Sequence, residues 1–279
     1  MTLSDLRAAL AAAPHHLSPF VMLGDPTPAC SLQLARAAVA AGASMLELGI
    51  PYSDPCADGT AIQAACLRAR AAGVSTAAAF ALLAAIGRAC PGVPCNLLVY
   101  GNLVHRRGLA RFCGEARAAG ASSLLVPDVP LGEDGQLRTA VAAAGLGAVA
   151  LVGPRSAPAR IAAAGAPEFV YVAGLQGVTG AAAPSVGERA ALLQRVRAHT
   201  GAPLALGFGL QRGADVAAAF AAGAAIAVVG SQLARVIGAC WAAAPGDEAN
   251  VTAAFAAAVR SLLPTSAADV AARGGASCS

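Results

Sequence analysis

Residues 45–63 read MLELGIPYSDPCADGTAIQ, and the reading of this stretch decides the rest of the chain. It opens as a short apolar run, Met45-Leu46-Glu47-Leu48, with one carboxylate set inside it. A loop rich in Gly, Pro, Ser and Asp follows, and a helical pattern begins near Thr60. The order is strand, loop, helix. A carboxylate at the end of a buried strand is costly unless it is hydrogen-bonded or functional, so Glu47 is either a partnered structural acid or a catalytic one. Asp58 closes the loop just before Gly59-Thr60. It is either the N-cap of the helix or a second acid aimed at the same space.

The same alternation runs through the chain in both directions. Strands are predicted at 19–23, 45–48, 95–100, 123–126, 148–152, 169–172, 204–206 and 225–229. A helix over 3–13 precedes them, and helices over 31–41, 60–72, 76–90, 109–119, 136–144, 157–164, 188–199 and 214–222 fall between them. Tail helices begin near 232 and 251. Apart from Glu47 the strands read as fully apolar, which implies a parallel sheet covered by helices. Eight units in about 230 residues match a closed (β/α)8 TIM barrel. It is expected as a single α/β domain over 1–279, with an N-terminal helix and C-terminal tail helices. An open doubly wound sheet would want a Gly-rich turn after its first strand, and Gly24-Asp25-Pro26-Thr27 is not one. Barrel active sites lie at the strand C-termini. Those ends carry Phe20, Glu47, Tyr100, Asp128, Tyr171, Phe208 and Ser231.

Composition narrows the chemistry. Apolar residues make up 57% of the chain and charged ones 12%, which excludes a disordered protein. The uncharged stretch 216–234 is broken by Gly223, Gly230, Ser231 and Gln232 into a helix and a strand, not a membrane span. The 19 cations are all arginine and are scattered without interleaved aromatics, which disfavours nucleic-acid binding. No lysine occurs, so a lysine Schiff base or lysine general acid is excluded. Eight cysteines without a C-x-x-C pair, and no signal peptide, read as reduced thiols in a cytoplasmic protein. His15, His16, His105 and His199 lack metal-ligand spacing, so no metal or other cofactor is expected; His15 and His16 read as solvated loop residues.

The late loops carry glycines of two possible meanings. Gly207-Phe208-Gly209 follows strand 7, and Gly230-Ser231-Gln232 opens a helix after strand 8. They make turns, or they let backbone N–H groups and a helix N-terminus approach a phosphate. Gly177-Val178-Thr179-Gly180 after strand 6 suits a further donor and a closing lid. Tyr100, Tyr171, Phe20 and Phe208 are core packing or, together, a flat aromatic slot. Asp128, in Val126-Pro127-Asp128-Val129-Pro130, is either catalytic or a stiffener of a Pro-rich loop, with the second favoured.

These motifs resemble the tryptophan synthase α chain family. Ser18-Pro19-Phe20-Val21-Met22-Leu23-Gly24-Asp25-Pro26, Leu46-Glu47-Leu48-Gly49-Ile50-Pro51-Tyr52-Ser53-Asp54-Pro55 and Ala57-Asp58-Gly59 carry the resemblance. The glycine motifs of the late loops follow in matching order, and the match runs from about residue 17 to 237. The resemblance implies a (β/α)8 barrel of tryptophan biosynthesis that cleaves indole-3-glycerol phosphate to indole and glyceraldehyde 3-phosphate. It implies catalytic Glu47 and Asp58, substrate contacts at Phe20, Leu98, Tyr100, Tyr171, Thr179 and Phe208, and phosphate held by Gly180, Gly209, Gly230 and Ser231. A β chain partner is implied as well, in an αββα heterotetramer, met near Asp54, Pro55, Asn102 and Pro130. Loop 6 departs from the family, with Gly174-Leu175-Gln176 before the Gly177 motif and Ala181-Ala182-Ala183-Pro184 after it. The loop after strand 3 reads His105-Arg106-Arg107. Three readings stay open: an α chain working with a β chain, an autonomous indole-releasing lyase, and a catalytically silent ligand-binding subunit.

Overall fold

Eight parallel strands close on themselves in chain order: β1 (His16–Met22), β2 (Leu46–Gly49), β3 (Cys95–Leu98), β4 (Ser123–Leu125), β5 (Gly147–Val152), β6 (Phe169–Val172), β7 (Leu204–Leu206) and β8 (Ile226–Val229). The barrel is seen in a computed structural model that describes residues 2–173 and 185–263. Closure is made by β8 pairing back onto β1, with Ser18 opposite Val228. The helices between the strands are α2 (Pro28–Ala40), α3 (Thr60–Ala71), α4 (Thr76–Ala89), α5 (Gly101–Arg107), α6 (Leu109–Ala118), α7 (Gly135–Ala143), α8 (Pro158–Ala162), α9 (Val186–Arg197) and α10 (Gly213–Ala221). They are flanked by α1 (Leu3–Ala11) at the start and by α11 (Ser231–Ala243) and α12 (Glu248–Leu262) at the end.

Strand periodicity divides the core in two. Val21, Leu46, Leu48, Leu97, Leu124, Val170, Val172, Leu206 and Val229 face outward into the layer between barrel and helices. Met45, Leu125, Phe169, Tyr171, Ala205, Ile226 and Val228 fill the barrel. The strands are not fully apolar, contrary to the sequence reading: His16, Ser18, Asn96 and Ser123 join Glu47 as buried polar groups. The outward half of each strand supplies the apolar signal; in the inward half His16, Glu47, Asn96 and Ser123 are hydrogen-bonded, while the buried Ser18 hydroxyl has no hydrogen-bond partner among the described residues.

Both ends of the chain complete the barrel. The Leu10 side chain packs against the interior cluster, so α1 covers the N-terminal mouth. His16 is not a solvated loop residue; it begins β1, is buried, and its Nε2 lies 3.1 and 3.0 Å from the Leu10 and Ala13 carbonyls. His15 stacks on Phe220 instead. At the other end α12 buries Val251, Phe255, Val259 and Leu262 along one stripe. Each such side chain contributes about 1.5–3 kcal/mol, so the tail helix is part of the core.

Two further sequence readings are settled here. Stretch 216–234 divides into the end of α10, strand β8 and the start of α11, and no single helix among the described residues is long and apolar enough to cross a membrane. The His105-Arg106-Arg107 segment, read as loop, is the last turn of α5. This seven-residue helix is too short to show periodicity. Its cap comes from another loop, where Asp128 Oδ1 accepts the Gly101 N–H at 2.8 Å. Asp128 thereby acts on α5, and its carboxylate is committed to that end.

Candidate active site

Glu47 lies inside the barrel near the strand C-termini and is 2% exposed. The β2–β3 register sets it opposite Asn96, whose Nδ2 donates to Glu47 Oε1 at 3.0 Å. Tyr171, from β6, donates its hydroxyl to Oε2 at 3.2 Å. Ser123, from β4, donates to Asn96 Oδ1 at 2.8 Å, so Asn96 is itself held. Burial pushes the Glu47 carboxyl up to about 7; the Asn96 and Tyr171 donors oppose the rise and the Asp58 charge adds to it. A group poised there can give and take a proton at neutral pH.

Asp58 approaches from the β2–α3 loop. It is not the N-cap of α3: that position is Gly59, with no side-chain cap bond. Its Oδ2 accepts the Tyr100 hydroxyl at 2.9 Å, and that same oxygen of Tyr100 accepts the Ala57 N–H at 3.0 Å. Burial pushes the Asp58 carboxyl up to about 6, with Tyr100 opposing. Both tyrosines are pushed above their ordinary range, first by burial and then by the neighbouring carboxylates, so they remain hydroxyl donors. They are hydrogen-bond partners of the two acids, beyond simple packing.

The remaining aromatic residues do not form a flat slot. Phe208 meets Tyr171 edge-on, with centroids 6.5 Å apart and planes at 89°. The Tyr100 ring stacks on Tyr52 instead, with centroids 5.2 Å apart. Phe20 stands opposite Glu47 across β1–β2 and lies over Gly49, where an added Cβ would sit 2.7 Å from the ring. Leu98 packs on both the Phe20 and the Tyr171 clusters. Phe20, Leu98, Tyr171 and Phe208 thus share one chamber with Glu47, while Tyr100 serves Asp58.

The phosphate candidates also share one face. β7 and β8 are parallel neighbours, so Gly209 and Gly230-Ser231 follow adjacent strand ends. Gly209 has φ +73°, a left-handed conformation that glycine adopts without strain. α11 begins at Ser231 with Gly230 as N-cap and no side-chain cap bond, leaving first-turn N–H groups for an anion. Behind the loop, the buried Arg189 of α9 donates to the Gly209 carbonyl at 3.0 Å and pairs with Asp215 at 3.2 Å. Thr179, Gly180 and the rest of the expected lid lie outside the described residues, as does Cys278.

A clamp links the two halves of the site. Arg68 of α3 holds the buried Asp25, after β1, through Nε at 2.6 Å and Nη2 at 2.8 Å. Its Nη2 also reaches the Ala234 carbonyl of α11 at 3.5 Å. The helix after Asp58 and the helix after Gly230 are thereby tied to one strand end. Among the described residues, no group of three or more His, Cys, Asp or Glu is placed to hold a metal ion. Sequence reasoning missed Asn96, Ser123, Tyr52 and Arg189. The first two carried a usable signal, since each interrupts an apolar strand as Glu47 does.

Comparison with known proteins covers most of the chain. A family model described as the tryptophan synthase alpha chain matches residues 6–263. The tryptophan synthase alpha chain of Yersinia pseudotuberculosis is 41% identical over 221 residues, covering 78% of this chain and 82% of that one. That of Rhizorhabdus wittichii is 41% identical over 243 residues, covering 86% and 89%. A chain from a structure of the tryptophan synthase a2b2 complex of Pyrococcus furiosus superposes with a TM-score of 0.78 at 30% identity, covering 88% of this chain and 97% of that one. The barrel, its acids and its glycine loops occur here in a chain that matches the family along most of its length, and the chain belongs to the tryptophan synthase alpha chain family.

Proposed function

We propose that Glu47 and Asp58 carry the retro-aldol cleavage of indole-3-glycerol phosphate to indole and glyceraldehyde 3-phosphate, the carbon–carbon lyase activity of the α chain. One observation carries this assignment: a buried carboxyl poised near neutrality stands with a second ionisable carboxyl at the strand C-terminal mouth of the barrel. Protonated Glu47 delivers its proton to C3 of the indole ring. The positive charge that appears on the ring nitrogen is balanced by the Asp58 carboxylate, which accepts the ring N–H. Glu47, now a carboxylate, takes the proton of the side-chain hydroxyl next to C3. The carbon–carbon bond breaks, its electron pair returns to the ring, and the hydroxyl carbon becomes the aldehyde. Phe20, Leu98, Tyr171 and Phe208 enclose the ring, Tyr100 orients Asp58, and the whole chain acts as one barrel domain. The seven cysteines among the described residues are free thiols, which supports work in the reducing cytoplasm.

Gly209, Gly230 and Ser231, with Gly180, hold the phosphate in this reading. Gly209→Asp tests it, because the left-handed region tolerates Asp better than most side chains and the fold should persist. A carboxylate set against the phosphate should raise KM more than about tenfold through like-charge repulsion. An unchanged KM in the folded variant places the phosphate elsewhere.

A β chain partner is supported by the a2b2 complex of the Pyrococcus furiosus relative. Asp54, Asn102 and Pro130 are exposed and Pro55 is half-buried. Leu67 is 63% exposed and lines, with Tyr52 and Pro55, a surface cavity of about 340 Å³. Asn102 Nδ2 donates to the Tyr52 hydroxyl at 2.9 Å, Tyr52 stacks on Tyr100, and Tyr100 holds Asp58. A partner pressing on Asn102 would act on Asp58 through this path. Indole release by the purified chain, measured with and without a tryptophan synthase β chain, should rise on addition. High turnover that β leaves unchanged would sink the coupled reading. No observation favours an autonomous lyase or a silent subunit.

A further inference from the structure

The reaction asks only that Glu47 reach its substrate, yet the carboxylate ends a buried row of hydrogen bonds that extends away from the chamber. Asn96 and Ser123 are 1% and 0% exposed. The three groups come from adjacent strands, with Glu47 opposite Asn96 and Asn96 opposite Ser123 in register. An asparagine amide can turn either its oxygen or its nitrogen toward a neighbour. Here the Ser123 hydroxyl donates to Oδ1 at 2.8 Å, which leaves Nδ2 to donate to Glu47 Oε1 at 3.0 Å. The opposite orientation would set a carbonyl oxygen against the carboxylate.

We propose that Asn96, oriented by Ser123, is a positioning residue that fixes the rotamer of Glu47 and the balance between its two protonation states. Asn96 holds Oε1, so Oε2 is left facing Tyr171. The other titratable groups that act on Glu47 are the Tyr171 hydroxyl from β6 and the Asp58 carboxylate from the β2–α3 loop. On its β1 side the residue opposite is the apolar Phe20. Asn96 is the stabiliser of the ionised form contributed by the neighbouring strand, and its nitrogen is placed so that it favours the charge. The consequence for catalysis rests on the proposed role of Glu47 as acid and base; the wiring itself does not.

The test therefore separates the two. Infrared titration of the full chain follows the protonated carboxyl band of Glu47, assigned by its loss in Glu47→Gln. In Asn96→Leu, close in size and apolar, the midpoint should rise by about one pH unit, as loss of a charge-assisted hydrogen bond implies. Ser123→Ala should shift it less and in the same direction, and Ser123→Thr, which keeps the hydroxyl, should restore it. The pH dependence of kcat should move with the midpoint while KM stays within about twofold. An unmoved midpoint in folded Asn96→Leu overturns the proposal; should that variant not fold, an unmoved midpoint in Ser123→Ala does so. A shifted midpoint with an unshifted kcat profile supports the wiring and overturns the catalytic assignment of Glu47.

Discussion

Glu47→Gln should lower indole release by at least about 10²-fold while making the protein more stable at pH 8. The first effect follows from the proposed role of Glu47 in moving the proton, a contribution typically about 10²–10⁴-fold. The second follows from burial. Glu47 is pushed up to about 7 in the folded chain, from an ordinary value of 4.5. Between those two values the folded state holds the proton and the unfolded state releases it. Stability therefore falls as pH rises through the window from 4.5 to about 7, and levels off above it. Glutamine carries no such charge, so the variant should gain up to about 3 kcal/mol at pH 8 and almost nothing at pH 4. Urea unfolding at both values, with steady-state kinetics alongside, checks the pair of expectations. Unimpaired turnover in a folded variant ends the assignment of Glu47; equal stability of the two proteins at pH 8 ends the account of its burial.

Gly207→Ala should be nearly as damaging, although the residue touches neither acid. A Cβ at this position would lie 1.9 Å from the Tyr171 hydroxyl and 2.2 Å from Cζ. The ring has to move, and the bond from its hydroxyl to Glu47 Oε2 goes with it. Misplacement of a catalytic group by about 1 Å costs on the order of 10²-fold, so kcat/KM should fall by roughly that factor. Overpacking of the barrel should cost about 1–3 kcal/mol, measurable as a lower urea midpoint. Serine should behave as alanine does, because the clash lies at Cβ. A Gly207→Ala enzyme with wild-type kcat would show that Tyr171 does not orient Glu47.

The barrel was legible because its signal is local and repeated. Apolar runs of three to six residues alternate with helix-period segments stopped by glycine, and only a parallel sheet inside helices uses that order. Glu47 stood out for the same reason, as a charge where the pattern demands none. Asp58, Gly209 and Gly230 became candidates through their places at loop and helix junctions. The cap that the sequence left open to Asp58 is provided by Gly59. What it could not show depends on residues far apart in the chain. The lengths of the strands and helices do not say that Ser123 orients Asn96, that Tyr171 reaches Glu47 across 124 positions, or that Asp128 caps α5. His16 looked solvated because its partners, the Ser44 hydroxyl and two carbonyls from the end of α1 and the loop after it, are brought to the ring only when that segment folds onto the barrel mouth. Local periodicity determined which face of each strand is apolar. The closure of β8 onto β1 decided which polar groups meet inside the barrel, and it is burial away from water, against the opposing hydrogen bonds from Asn96, Tyr171 and Tyr100, that lifts two ordinary carboxyls toward neutrality.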